Sequence, residues 1–100
     1  MKSDDKSIAC WRVQVRGRVQ GVGFRDACMH RAQFVGVTGW VRNRVDASVE
    51  LMLQGSSQQL QEMTDWLRHN VPGARVDGLD ITEVAQPFDR LDRFERRPTA

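Results

Sequence analysis

Three glycines within seven positions, Gly17, Gly21 and Gly23, separate two segments of different hydrophobic period. Before them, Trp11, Val13 and Val15 alternate with Arg12, Gln14 and Arg16, the pattern of a half-buried strand. After them, Phe24, Ala27, Cys28, Ala32 and Val35 recur along one face at helical spacing, and Gly36 supplies a stop. A strand, a glycine loop and a helix in this order form a ready anion site. Glycine lets backbone N–H groups turn toward one point, and a helix N-terminus adds its unpaired donors and its dipole. Gly17, Gln20, Gly21, Val22, Gly23 and Phe24 are the candidate backbone contacts, their φ/ψ freedom mattering more than their side chains. Arg25 falls in the first helical turn and sets a permanent charge beside them. Phosphate is the natural guest, because the guanidinium fork binds two of its oxygens.

The rest of the chain alternates in the same manner. Strands are expected over residues 8–16, 37–42, 47–54 and 75–84, with a short last strand over 93–96. A second helix is expected over residues 57–69, with Leu60, Met63, Thr64 and Leu67 facing inward and Gly55, Ser56 and Ser57 offering a break and an N-cap. Residues 43–46 read as a hairpin turn, and Pro72 and Gly73 turn the chain after the second helix. The order is βαββαβ with a short extra strand. This is an α+β, ferredoxin-like sandwich, two helices on one face of an antiparallel sheet. In that arrangement the first and third strands pair at the centre, and the second strand is expected beside the fourth or at the edge.

Composition narrows the function. The chain has 100 residues, enough for one core without metals or disulfides. Fifteen basic against thirteen acidic residues is too even a balance for a nucleic-acid partner. Arg90, Arg93, Arg96 and Arg97 alternate with Asp89, Asp92 and Glu95, which predicts a solvated, ion-paired strand. Two cysteines make no disulfide framework, no Cys/His cluster suggests a metal, and Cys28 reads as a buried thiol. No apolar run is long enough for a membrane span. These features predict a cytoplasmic monomer, a single domain over residues 8–97 and a disordered lead-in over residues 1–7.

A second segment sharpens the reading: Gly39-Trp40-Val41-Arg42-Asn43, followed by Asp46, Ser48, Val49 and Glu50. On the residues alone, Asn43 reads equally as a water-holding amide and as a turn asparagine that tolerates left-handed geometry. Together, G-R-V-Q-G-V-G-F-R and G-W-V-R-N-x-x-D-x-S-V-E resemble the two signature segments of the acylphosphatase family, in order and spacing, within a resemblance that covers residues 8–97. The resemblance implies the ferredoxin-like fold and hydrolysis of the carboxyl–phosphate anhydride of small acyl phosphates. It aligns Arg25 with the family's phosphate-binding catalytic arginine and Asn43 with the asparagine that orients the attacking water. No cofactor and no metal are expected, since no carboxylate cluster stands ready for magnesium. Glu50 and Asp46 read as strand and turn residues, and His30 and His69 as exposed helix positions without catalytic partners.

Two positions depart from the family pattern. Ala47 stands where the family has glycine, and Asp26 follows Arg25 where the family often has an aromatic. Alanine in a left-handed turn position costs about 1 kcal/mol. Asp26 suits the helix dipole but opposes the local positive potential. Two other readings stay open on the sequence: an RNA-binding or ligand-sensing module of the same fold, and a carbamoyl phosphate-handling domain serving a larger protein. Against the first stands the third strand, residues 48–54, which lacks the aromatics of an RNA-recognition sheet.

Overall fold

In the computed structural model, which describes residues 8–100, the predicted elements appear in the predicted order. They are β1 (Ala9–Arg18), α1 (Phe24–Val35), β2 (Thr38–Asn43), β3 (Val49–Gly55), α2 (Ser57–His69), β4 (Arg75–Glu83) and β5 (Phe94–Arg96). The lead-in expected over residues 1–7 lies outside the described residues.

Each helix ends where its sequence provides an ending. Gly23 and Gly36 flank α1 in left-handed conformation, with φ of 79° and 92°. The N–H of Gly36 then reaches back to the carbonyl of Ala32. Helix α2 begins with a full capping box. The Ser56 hydroxyl accepts from the N–H of Gln59, and the Gln59 side chain accepts from the N–H of Ser56.

Five strands form one sheet in the order β4-β1-β3-β2-β5. β1 and β3 pair at the centre, as expected. β2 does not lie beside β4 or at the edge. It sits between β3 and β5, and β4 flanks β1 on the far side. The short last strand causes the difference: it pairs parallel to β2 and makes an otherwise antiparallel sheet mixed.

Both helices cover one face. Val13 and Val15 of β1, Val41 of β2, and Val49, Leu51 and Leu53 of β3 are buried against Phe24, Cys28 and Ala32 of α1. Leu60, Met63 and Leu67 of α2 complete this core, and Thr64 is buried with its hydroxyl donating to the carbonyl of Leu60. Burying such side chains contributes about 1.5–3 kcal/mol each, which makes this face the main source of stability. On the other face, the Gln54 amide donates to the carbonyl of Asp89 and accepts from the N–H of Leu91, tying the chain between β4 and β5 over the sheet. His30 and His69 are exposed. Among the described residues, no helix is long and apolar enough to cross a membrane.

β1 runs two residues further than its alternation predicts. Its pairing with β4 shifts register between Arg16 and Gly17, a bulge that carries Gly17 along β4 at a φ of 133°. A Cβ at Gly17 would stand 2.2 Å from the carbonyl oxygen of Arg75. Gly17 therefore serves the contact between β1 and β4, inside the strand and ahead of the loop.

Candidate active site

Strand direction assembles the site. β1 and β2 are each antiparallel to β3, which lies between them, so they run parallel to one another. β5 also runs parallel to β2. The carboxyl ends of all three strands reach the same edge of the sheet. There the chain leaves β1 at Arg18, passes through the glycine loop and enters α1 at Phe24.

A cavity of about 90 Å³ lies at this edge, lined by Val19, Gln20, Gly21, Gly23, Phe24, Arg25, Asp26, Asn43 and Arg96. Arg25 and Asn43, eighteen residues apart in the chain, thus share one small hollow at the N-terminus of a helix. Both side chains are half-buried. Among the described residues, neither the Arg25 guanidinium nor the Asn43 carboxamide is engaged in a hydrogen bond or ion pair. Of the expected backbone contacts, Gln20, Gly21, Gly23 and Phe24 line the hollow; Gly17 and Val22 do not. Val22 instead faces the turn at Gly73.

Asn43 points into this hollow because of its place in the sheet. It pairs across from Val49, whose side chain is in the core beneath the helices. Opposed residues on neighbouring strands share a face, so Asn43 is directed toward the helix side. Its carbonyl accepts from the N–H of Ala100 at 3.1 Å, which fixes the backbone of β2 at this point.

The turn after Asn43 is tied to the loop. The N–H of Arg44 donates to the carbonyl of Ser48 at 2.8 Å, and the N–H of Ala47 to the carbonyl of Arg44 at 3.1 Å. This closes a three-residue loop of residues 45–47 whose last member is left-handed. Ala47 holds that conformation at a φ of 77°, although it is not glycine. Asp46 braces the turn by accepting from both the N–H and the hydroxyl of Ser48, at 3.0 and 2.6 Å. These bonds, the hydroxyl's first, hold the Asp46 carboxyl below its ordinary range.

The Gln20 side chain joins the two halves of the site, a role that its sequence position does not signal. Its amide donates to the carbonyls of Arg44 and Ser48, at 2.9 and 2.8 Å. Arg96 is the other participant that sequence reasoning missed. It lines the hollow from the end of β5 and forms an ion pair with Asp26.

Glu50 is more than a plain strand residue. Its buried carboxylate lies on the open face of the sheet among Arg42 at 2.8 Å, Arg44 at 3.4 Å and Arg12 at 3.9 Å. A larger hollow of about 690 Å³ lies between the start of β1 and the start of α2, where Glu83 is the one charged residue among the described lining residues. A lone carboxylate gives an anion no reason to bind there, which leaves the smaller cavity as the better candidate of the two.

The fold is that of a small α+β domain with a hollow at a helix N-terminus, lined by Arg25 and Arg96. The family model for acylphosphatase matches residues 11–96. The chain is 56% identical over 97 residues to acylphosphatase 1 of Ralstonia nicotianae, covering 97% of this chain and 95% of that one. It is also 56% identical over 99 residues to an acylphosphatase of Polaromonas naphthalenivorans, covering 98% of each. The solved structure of an acylphosphatase from Coxiella burnetii superposes with a TM-score of 0.88 at 32% identity, covering 97% of this chain and all of that one. This chain belongs to the acylphosphatase family.

Proposed function

We propose that the chain hydrolyses small acyl phosphates to a carboxylate and inorganic phosphate, with Arg25 and Asn43 as its catalytic residues. The convergence of these two side chains on a single hollow of about 90 Å³ carries the reading. A space of that size suits a phosphoryl group and leaves the acyl portion of the substrate outside.

The loop donors from Gln20 to Phe24 and the Arg25 fork would hold the phosphoryl oxygens. Both act on charge that spreads over those oxygens as the phosphoryl group transfers. The Asn43 carboxamide would hold a water in line with phosphorus. An amide does not take a proton near neutral pH, so it orients the water without acting as a base. The single carboxylate among the described lining residues, Asp26, is engaged by Arg96. The substrate's own phosphate is then the acceptor for the water's proton. The departing carboxylate is a weak base and leaves without an acid, so catalysis rests on positioning and electrostatics.

Location and assembly follow the same reading. Cys10 and Cys28 are free and buried, as suits a reducing cytoplasm. The large apolar side chains exposed among the described residues, Phe34, Val45 and Ile81, are scattered over different elements, as suits a monomer.

The test is release of inorganic phosphate from benzoyl phosphate with a chelator present, against p-nitrophenyl phosphate as the monoester. Turnover of the anhydride should persist in EDTA, and the monoester should be nearly inert. Loss of turnover with chelator, or a preference for the monoester, would refute the proposal.

A further inference from the structure

The hollow contains an electrostatic conflict. Asp26 adjoins Arg25 in the first turn of α1, and its carboxylate belongs to the same lining. A carboxylate there favours the helix dipole but repels a bound phosphate dianion. Left alone, it would cancel the charge that Arg25 brings.

Arg96 stands opposite. In β5, Phe94 is buried in the core, and Arg96 lies two residues on, which puts it on the same face by strand alternation. Its pairing with Val41, another core residue, gives the same orientation. Because β5 runs parallel to β2, its last residue emerges at the sheet edge where α1 begins. There the Arg96 guanidinium pairs with the Asp26 carboxylate across seventy residues of sequence. Both side chains keep solvent contact, 45% and 63% exposed, so the pair sits at the mouth of the hollow. With Arg96 present, the charged lining of Arg25, Asp26 and Arg96 has a net charge of +1; without it, zero.

We propose that Arg96 is the charge-compensating residue of the phosphate cavity, a positioning residue that offsets Asp26 and keeps the site cationic. The inference rests on reading the hollow as a phosphate site. It assigns binding energy to a residue outside both signature segments.

A double-mutant cycle read by inorganic phosphate binding tests it, with backbone amide shifts as the signal. Arg96→Gln removes the charge and preserves side-chain bulk. It should weaken phosphate binding about three- to tenfold at low salt, and the loss should shrink as ionic strength rises. Asp26→Asn should tighten binding. The double variant Asp26→Asn/Arg96→Gln should return to within about twofold of the parent, because the two charges leave together. Unchanged affinity in Arg96→Gln would overturn the proposal. So would a double variant as weak as Arg96→Gln alone, since Arg96 would then be a direct ligand of the anion. If the parent chain shows no phosphate-induced shifts from Gln20 to Arg25, the reading of the site falls first and this inference with it.

Discussion

The Gln20 amide nitrogen lies 2.8 Å from the carbonyl oxygen of Ser48, and the same nitrogen reaches the carbonyl of Arg44 at 2.9 Å. One side chain from the anion loop thus clasps both sides of the turn that follows Asn43. In the proposed mechanism, the spacing between the glycine loop and the Asn43 amide depends on it. Misplacing a catalytic group by about 1 Å can cost a large factor in rate.

Gln20→Ala should therefore lower kcat by about tenfold and leave inhibition by inorganic phosphate within about twofold of the parent. Gln20→Glu should be at least as impaired, because a carboxylate cannot donate to the two carbonyls. Steady-state kinetics with phosphate as inhibitor separate the two effects. Collapse of phosphate affinity with kcat intact would move Gln20 from positioning to direct binding.

Arg25 and Asn43 should differ in kinetic signature. Arg25→Ala should lose both phosphate binding and turnover, and Arg25→Lys should not restore them, since a point charge lacks the planar fork. Asn43→Ala should still bind phosphate and lose turnover by roughly 10²-fold or more. Circular dichroism should report native folds for all three. A folded Asn43→Ala variant with near-parental activity would reduce Asn43 to a turn residue.

Ala47 is a stability reserve. It is the last residue of the turn loop and holds a φ of 77°. A left-handed alanine costs about 1–2 kcal/mol, and glycine's greater freedom in the unfolded chain offsets part of the gain on replacement. Ala47→Gly should stabilise the protein by about 0.5–1 kcal/mol, a rise in Tm of a few degrees for a domain of this size. Thermal unfolding gives the value, and a fall in Tm would show that the turn tolerates alanine without strain.

Cys28 should shape the alkaline limb of stability. It is buried between α1 and the sheet, and that burial pushes its thiol pKa up; Cys10 is shifted the same way, chiefly by burial. A raised folded pKa gives stability that is complete below the unfolded thiol value, about 8.5, and declines as pH rises toward the folded value. The chain has no tyrosine to obscure this range. Urea unfolding at stepped pH should show stability falling above about pH 8.5, and Cys28→Ala should flatten the slope. An unaltered slope in Cys28→Ala would assign the effect to other groups.

Much of this molecule was legible in the chain because its signals are local. A period of two marks β1 and β3, and helical spacing marks α1 and α2, with Leu60, Met63, Thr64 and Leu67 buried as their spacing predicts. Ser56 and Gln59 announce the cap of α2 within four residues. The glycine loop and Arg25 stand out in the same local way, by residue type and immediate neighbours; Asn43, which on its own reads equally as a turn asparagine, is singled out only by the resemblance to the family.

What the chain alone left undecided is relational. That β3 intervenes between β1 and β2, so that the loop and Asn43 reach one edge together, is set by strand order. That Gly17 serves packing against β4 follows from a register shift whose partner lies far along the sequence. Gln20 and Ser48 are 28 residues apart, Asp26 and Arg96 seventy. Such contacts arise when the apolar faces of separate elements are buried together. No local pattern records which polar side chains will then face each other at the edge. Strands, helices and the residue types for phosphate chemistry are written locally in the chain, whereas the closing of the sheet around one core sets which residues meet at its edge.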